Sequence, residues 1–339
     1  MNQEQKTPSD SEPVISTTGL ARTFGHTQAV RGVSFSVGEG EVFGFIGPNG
    51  AGKTTTISML CTLLAPSAGT ATVAGFDIIG KRTEVRRSIG LVFQDPTLDE
   101  YLTAVQNLRF HAYAYGMPKR VRDERIHELL TLMELWDRRD SSVREYSGGM
   151  KRRLEIARGL LHHPRILFLD EPTLGLDPQT RHRIWEYVLD LRRRESLTIF
   201  LTTHYMDEAE NCDRIAIIDE GQIVALDRPE VLKDSLGGDL VTLRVEDSAA
   251  AAAELSARYE LSANVEGDSV EVKLPHAEKF LPELMRGLSC KILAVTVRRP
   301  TLDDVFLSLT GHSIRDERPT GNHQLRRYLN TPGMKSQLN

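Results

Sequence analysis

The sequence predicts an α/β protein with a parallel sheet at its core, followed by a smaller α+β domain. Residues 165–169 and 197–201 form nearly continuous apolar runs, which are typical of parallel strands buried on both faces. Helix-like stretches alternate with these and other strand-like runs, as in a layered α/β core. After Leu236-Gly237-Gly238 the pattern starts again as strand–helix–strand–strand–helix–strand, which predicts a ferredoxin-like fold.

The elements can be placed in order along the chain. In the first domain, apolar runs predict strands at 14–17, 33–37, 42–46, 70–73, 89–93, 165–169 and 197–201, and a closing hairpin of 214–218 with 222–226. Between residues 94 and 147 the pattern changes to helices, including 103–115 and 119–135, which predicts a helical subdomain inserted at about 95–160. The second domain is predicted to hold strands at 240–245, 265–272 (a pair around Gly267-Asp268) and 292–297, and helices at 249–259 and 277–288.

The composition of the chain predicts how many domains it forms and argues against several kinds of site and partner. The 339 residues are 40% hydrophobic, enough for two domains with cores of their own. A net charge of −5 gives no overall basic surface, so we expect no nucleic-acid partner. Three scattered cysteines without a C-x-x-C pair predict neither a zinc site nor a disulfide framework. No apolar run approaches the roughly 20 residues that span a bilayer, so any membrane crossing is expected from another chain.

The most informative motif follows the strand at 42–46 and precedes a helix-like run at 55–64. It matches G-x-x-x-x-G-K-[ST] and reads Gly47-Pro48-Asn49-Gly50-Ala51-Gly52-Lys53-Thr54-Thr55. Glycines let successive backbone N–H groups point into one anion-sized hollow, and the helix start adds its dipole. Lys53 is expected to reach the terminal phosphates and the Thr54 hydroxyl to bind Mg²⁺. A chance match in a chain of this length is expected in about one case in a hundred, so the motif predicts nucleoside triphosphate binding by these nine residues.

A second motif is a pair of carboxylates, Asp170 and Glu171, at the end of the apolar run 166–169. The carboxyl edge of a parallel sheet is where α/β proteins bind ligands. We expect Asp170 to hold Mg²⁺ opposite Thr54 and Glu171 to accept a proton from the attacking water. Alone, such a strand ending is as often structural, but beside a phosphate loop the catalytic interpretation is favoured.

Further motifs follow one another in a fixed order. They are Tyr146-Ser147-Gly148-Gly149-Met150, then Leu169-Asp170-Glu171-Pro172-Thr173, Gly175-Leu176-Asp177-Pro178 and Thr202-Thr203-His204. With the phosphate loop, this ordered set closely resembles the ATP-binding subunit of ABC transporters over residues 14–236. The resemblance implies a P-loop NTPase core that binds ATP with Mg²⁺ and hydrolyses it.

The resemblance also implies roles for individual residues. Gln94 matches the glutamine that touches Mg²⁺ or its water and senses the membrane subunit. His204 matches the histidine that hydrogen-bonds the γ-phosphate, and Asp177 the aspartate at the dimer seam. Ser147 and the backbone of Gly148 and Gly149 are expected to close on ATP held by a second subunit.

Two features of this chain depart from the usual family pattern. The signature is usually Leu-Ser-Gly-Gly-Gln, whereas this chain has Tyr146 and Met150 at its outer positions. The family also stacks adenine on an aromatic residue, often Tyr, upstream of the phosphate loop. Phe24 is the matching candidate here, although a Phe near a strand end is nearly as often a core residue.

The C-terminal part of the sequence indicates which type of ABC transporter ATPase the chain resembles. The stretch from Pro300 to His312, which contains Asp303-Asp304, resembles the end of the accessory domain in drug-export ATPases of the daunorubicin-resistance type. We interpret the two aspartates as a helix-start pair rather than a metal site. The predicted organisation is a flexible N-terminus (1–13), an ATP-binding domain (14–236), an accessory domain (239–312) and a flexible tail (313–339).

The resemblance implies an ATPase that powers an ABC exporter of drugs, antibiotics or other hydrophobic compounds. It would work at the cytoplasmic face of a bacterial membrane with a separate multi-span permease, which would dock near Gln94 and residues 96–101. A second ATP-binding subunit, most simply another copy of the chain, would complete the site. The alternative is an ABC ATPase acting on ribosomes or DNA, which the single cassette and the short gap before the signature disfavour.

Overall fold

A computed structural model describes residues 12–274 and 277–311, which fall into two compact units divided after Leu226. The predicted tail at 313–339, His312 and all but the last two residues of the predicted N-terminus lie outside these described residues. The domain limits 14–236 and 239–312 stay predictions, since the segment from Asp227 onward groups with the second unit.

The first unit contains ten strands and seven α-helices within the described residues. The strands are β1 (Ile15–Phe24), β2 (Thr27–Val37), β3 (Val42–Ile46), β4 (Ala68–Val73), β5 (Phe76–Asp77), β6 (Ile89–Val92), β7 (Ile166–Asp170), β8 (Thr198–Thr203), β9 (Arg214–Asp219) and β10 (Gln222–Asp227). The helices are α1 (Lys53–Leu60), α2 (Arg82–Ser88), α3 (Ala104–Ala114), α4 (Lys119–Leu132), α5 (Gly148–Gly159), α6 (Pro178–Glu195) and α7 (Met206–Ala209).

Two sheets form the core of this unit. The larger sheet has the order β10-β9-β3-β8-β7-β6, and the pairs β3–β8, β3–β9, β7–β8 and β6–β7 are all parallel. The smaller sheet has the order β2-β1-β4-β5 and is antiparallel. The parallel sheet predicted from the apolar runs is therefore present, with all residues of β3, β7 and β8 buried.

One aromatic cluster packs the smaller sheet against the larger one. Phe35 of β2 lies with its ring centroid 5.5 Å from those of Phe43 and Phe45 of β3 and 5.9 Å from that of Phe200 of β8. Phe168 of β7 joins the cluster at 5.3 Å from Phe200. Aromatic pairs at these separations add to the stability gained from burial. The cluster fixes the three central strands, whose carboxyl ends carry the predicted site.

Several element boundaries differ from the predicted ones for identifiable reasons. Helix α1 begins at Lys53 rather than 55, because Thr56 N–H already donates to the carbonyl of Gly52. It ends at Leu60 rather than 64, since Thr62 is left-handed with φ 62°. Helix α4 ends at Leu132, and Glu134 is left-handed with φ 53°. Residues of this kind close helices.

Helices α3, α4 and α5 lie between β6 and β7, together with two 3₁₀ turns at Trp136–Arg138 and Val143–Glu145. This is the region where a helical insertion was predicted. Helix α5 approaches the sheet closely, because an added Cβ on Gly90 of β6 would lie 2.2 Å from the carbonyl oxygen of Gly159. Glycine at position 90 therefore lets the signature helix lie against β6.

The second unit contains strands β11 (Asp239–Val245), β12 (Ala263–Glu266), β13 (Ser269–Leu274) and β14 (Ile292–Arg298), with helices α8 (Pro229–Asp234), α9 (Ser248–Tyr259), α10 (Ala277–Gly287) and α11 (Leu302–Thr310). Its sheet is antiparallel in the order β12-β13-β11-β14, the ferredoxin-like arrangement expected from the sequence. Asp304 forms a capping box with Thr301 at the start of α11, in agreement with the interpretation as a helix-start residue.

Two further features agree with the sequence analysis. Cys61 packs into the core of the first unit, and burial raises the pKa of its thiol well above the ordinary value, so it is a small core residue. Over residues 12–274 and 277–311, no helix combines the length and the apolar character that crossing a membrane requires.

We expect Gly90→Ala to destabilise the first unit, because the new methyl group would force β6 and α5 apart. Overpacking of this kind costs about 1–3 kcal/mol, which should lower the melting temperature by about 3–10 °C in a thermal scan. Gly80→Ala is the matched control, since its nearest neighbour would be a carboxylate oxygen of Asp77 at 3.3 Å. Equal melting temperatures for both variants would contradict the close approach of α5.

Candidate active site

The phosphate loop connects β3 to α1 and depends on glycine at three positions. An added Cβ on Gly47 would lie 2.1 Å from the carbonyl oxygen of Ile218, while Gly50 and Gly52 adopt φ 87° and 106°. Both angles lie in the region that favours glycine. No side chain caps α1, and its first turn has no acidic residue. A helix N-terminus with neither a side-chain cap nor an acidic residue in its first turn is suited to bind an anion.

Lys53 is the first residue of α1, and its side chain is only 4% exposed. Its Nζ donates to the carbonyl oxygens of Gly47 at 2.7 Å and Pro48 at 2.9 Å, and lies 3.3 Å from Oε1 of Glu171. A buried ammonium needs such partners. The loop thus holds a positive charge against two of its own backbone carbonyls.

Asp170 ends β7 beside Thr54 of α1 and Thr202 of β8. Its Oδ1 accepts hydrogen bonds from Thr202 Oγ1 at 2.5 Å and Thr54 Oγ1 at 3.3 Å. Burial raises the pKa of Asp170, although these two hydrogen bonds oppose the change. A positive ion at this carboxylate would offset the cost of burying it.

The Thr54 hydroxyl and the Asp170 carboxylate lie within 3.3 Å of each other, and both offer hard oxygen atoms, the ligand type that Mg²⁺ prefers. Within the described parts of the chain, no group of three or more His, Cys, Asp or Glu side chains is arranged to hold a metal ion. An ion at this point would therefore take most of its ligands from phosphate and water, as Mg²⁺ commonly does. The residues present fit Mg²⁺ bound together with a nucleotide.

Glu171 follows Asp170 in a left-handed conformation, with φ 46°. Its N–H donates to both the carbonyl and the hydroxyl oxygen of Thr202, each at 3.1 Å. Burial raises the pKa of Glu171, but the close contact with His204 and the charge of the Lys53 ammonium outweigh burial, so the pKa is lowered overall. Glu171 is therefore an ionised carboxylate at neutral pH.

The strand register brings His204 to the same point. Ile46 pairs with Thr203, and Asp170 with Thr202, so the residue after β8 lies beside the residue after β7. His204 Nδ1 lies 3.3 Å from Oε2 of Glu171. The structure thus brings together Lys53, Thr54, Asp170, Glu171 and His204.

Two other candidate residues lie nearer the solvent. Gln94 is exposed two residues after β6, which is the parallel neighbour of β7, so it lies at the same edge of the sheet. Phe24 ends β1, is half-buried, and has the Arg22 guanidinium 4.6 Å from its ring centroid. Their assigned contacts with Mg²⁺ and adenine stay predictions.

The signature residues lie at the start of α5. Ser147 is exposed, and its Oγ accepts a hydrogen bond from Met150 N–H at 3.3 Å, so the serine also caps the helix. The departure at Tyr146 has a structural reason, since its buried ring places the hydroxyl 2.7 Å from the carbonyl oxygen of Arg138, to which it donates. Nothing in the structure explains Met150.

Asp177 caps the neighbouring helix α6. It accepts from Thr180 N–H at 2.9 Å and from the Thr180 hydroxyl at 2.7 Å, and these hydrogen bonds lower the pKa of Asp177. An added Cβ on Gly149 would lie 2.5 Å from Cγ2 of Thr180. The signature loop and the Asp177 loop therefore lie side by side as one exposed surface.

Sequence reasoning missed two residues of the site. Thr202 links Asp170 to Glu171, and its position in a Thr-Thr-His run at a strand end was the available signal. Arg152 donates to the carbonyl oxygens of Asp170, Glu171 and Pro172. The only sign of its burial in the sequence is its place on the apolar face of α5, four residues before Ile156.

Comparison with known protein families agrees with this geometry. Residues 30–174 match the family model described as ABC transporter, and residues 228–310 match the ATP-binding protein DrrA1-3-like, C-terminal domain. The chain is 40% identical over 314 residues to the daunorubicin/doxorubicin resistance ATP-binding protein DrrA of Streptomyces peucetius, covering 89% of this chain and 94% of the relative. It is 38% identical to the linearmycin resistance ATP-binding protein LnrL of Bacillus subtilis, covering 88% and 98%.

Solved structures give the same result. An ATP-binding cassette of an ABC transporter in its ADP conformation matches with a TM-score of 0.60 and 28% identity, over 65% of this chain and 93% of that one. A dimeric cassette in a post-hydrolysis state bound to ADP and Pi matches with a TM-score of 0.57 and 27% identity, over 63% and 98%. From the site geometry and these matches, the chain belongs to the ATP-binding, ATP-hydrolysing subunits of ABC transporters, in the branch with a DrrA-like C-terminal domain.

Proposed function

We propose that this chain powers an ABC exporter of drugs, antibiotics or other hydrophobic compounds. The observation that carries the proposal is the combination of two features in one chain. The phosphate loop, the carboxylates Asp170 and Glu171 and His204 are all present, and the chain also has the DrrA-like C-terminal unit. Relatives matched over most of their length include resistance proteins and the Nod factor export ATP-binding protein I of Ralstonia nicotianae, at 38% identity. The export direction and the cargo class are carried over from these relatives.

In this proposal, the loop from Gly47 to Thr55 binds the phosphates of ATP through its backbone amides. The Lys53 ammonium gives up its contacts with the loop carbonyls and Glu171 for the more strongly charged phosphate oxygens. Phe24 stacks on the adenine. Thr54, Asp170 and Gln94 would hold Mg²⁺, which when bound neutralises part of the phosphate charge.

Glu171 is proposed to accept a proton from the attacking water, which its ionised state allows. The contact between Glu171 and Nδ1 of His204 orients both side chains, and the other ring nitrogen of His204 is assigned to the γ-phosphate.

The working form is proposed to be a dimer at the cytoplasmic face of a bacterial membrane, with a separate permease. Ser147, Gly148 and Asp177 are exposed on one surface, where they are accessible to ATP held by a second copy. Because the γ-phosphate would be held by both subunits, its loss on hydrolysis would open the dimer.

We expect Lys53→Ala to weaken ATP binding about 10- to 100-fold, the range that follows from losing one charged hydrogen-bonding partner. Titration with a fluorescent ATP analogue measures the dissociation constant. Lys291→Ala, an exposed lysine paired with Glu246 in the second unit, is the control and should bind normally. Unchanged affinity in Lys53→Ala would remove Lys53 from the phosphate site.

We expect Glu171→Gln to bind ATP normally but to hydrolyse it about 10²- to 10⁴-fold more slowly, the usual contribution of a general base. The ATP-bound dimer should then accumulate and elute early in sizing chromatography with Mg-ATP. Glu186→Gln, on an exposed part of α6, should behave like wild type. A Glu171→Gln protein that remains monomeric with Mg-ATP would argue against the dimer proposal.

The export proposal is tested by affinity purification of the tagged chain from gently detergent-solubilised membranes, with mass identification of what co-purifies. We expect a stoichiometric protein with several hydrophobic spans, because the chain would need a permease to couple ATP hydrolysis to transport. Recovery with ribosomal or DNA-associated proteins and no such partner would overturn the export proposal in favour of the alternative ABC ATPase class.

A further inference from the structure

We propose that Arg152 is a positioning residue for ATP hydrolysis, and that it holds the turn at Glu171 in a fixed relation to the signature helix and to the Gln94 loop. The proposal depends on the proposed role of Glu171 as the proton acceptor. Arg152 touches none of the reacting groups itself, so its effect would pass through Glu171.

The contacts of the Arg152 guanidinium carry the proposal. Nη2 donates to the carbonyl oxygens of Glu171 at 2.8 Å and Asp170 at 3.2 Å, and Nε donates to that of Pro172. Nη1 donates to the carbonyl oxygen of Phe93 and to Oε2 of Glu155. The side chain is 8% exposed. One planar group thus binds four backbone carbonyls, a geometry that suits arginine and not lysine.

These carbonyls belong to a turn that needs external support. Glu171 is a non-glycine residue with φ 46°, a conformation that is disfavoured unless the surroundings hold it. Thr202 binds the Glu171 N–H from the β8 side. Arg152 binds the carbonyls of the same turn, so the Glu171 backbone is held at its N–H by Thr202 and at its carbonyl by Arg152.

The same guanidinium connects two other parts of the site. Phe93 directly precedes Gln94, and Arg152 lies on the helix that begins after Ser147. Glu155, only 1% exposed, pairs with Arg152, and its Oε1 accepts from Thr97 N–H at 2.7 Å. A shift of the signature helix or of the Gln94 loop would therefore be transmitted to the backbone of Glu171 through one side chain.

The test compares Arg152→Gln with Arg153→Gln. Arg153 is the adjacent guanidinium on α5, but it donates to the Met133 carbonyl oxygen at 2.7 Å and to the Tyr187 hydroxyl at 3.2 Å, away from the catalytic turn. We expect Arg152→Gln to lower kcat about 10- to 100-fold, since small misplacements of a catalytic group cost this much, with the KM for ATP unchanged. Arg153→Gln should retain wild-type kcat.

A double-variant cycle separates positioning from a general loss of structure. If Arg152 acts through Glu171, combining Arg152→Gln with Glu171→Gln should give the single-turnover rate of Glu171→Gln alone, because the two effects are not independent. Arg152→Lys, which keeps the charge but not the planar fork, should recover only part of the rate. It also replaces Arg152→Gln in the cycle if the glutamine variant fails to fold.

The outcomes are distinguishable. A double variant whose single-turnover rate falls by the product of the two single effects would overturn the role of Arg152. The same conclusion would follow if the KM of Arg152→Gln rose as much as its kcat fell, or if Arg153→Gln lost as much kcat as Arg152→Gln. If Glu171→Gln alone hydrolyses ATP at the wild-type rate, the proposed role of Glu171 fails as well. If Glu171→Gln is slow but the effects of the two substitutions multiply in the double variant, only the inference about Arg152 fails.

Discussion

The buried ion pair between Lys53 and Glu171 is the contact on which the rest of the site depends. Both side chains are less than a tenth exposed, and their charged atoms lie 3.3 Å apart. Burying two charges is unfavourable unless every partner is in place. Lys53 therefore needs the loop carbonyls, and Glu171 needs His204 and a turn in an unusual backbone conformation. The turn at Glu171 also requires support from Thr202 and Arg152.

The sheet makes this arrangement possible. The phosphate loop, the two carboxylates and the histidine are far apart in sequence, yet each follows one of three adjacent parallel strands. Because parallel strands end at the same edge, register alone places the three motifs within contact distance. Phe35 of the smaller sheet packs against Phe43, Phe45 and Phe200 of these strands, and Phe168 packs against Phe200. The geometry of the site is therefore a property of the core.

Much of the fold was predictable because the signals are local. Continuous apolar runs gave the buried strands, and the glycine pattern of the phosphate loop marks positions where the backbone approaches Ile218 or turns left-handed. The exact helix ends were not predictable, since Thr62 and Glu134 adopt left-handed conformations that such residues seldom take. Arg152 was missed because the burial of an arginine depends on which carbonyls the folded chain leaves unpaired. For Gln94 and Phe24 the structure gives a position but no ligand contact, so their roles still depend on the resemblance.

The close approach of Gly149 to Thr180 has a consequence for recognition. The Thr180 methyl group occupies the space that a side chain at position 149 would need, so the serine-capped start of α5 packs directly against the aspartate-capped start of α6. The surface is already ordered in the folded chain. The conformational entropy that ordering costs is therefore lost on folding and not again when a partner binds. We expect such a surface to select a partner by its shape, since little reorganisation is left to accommodate a different one.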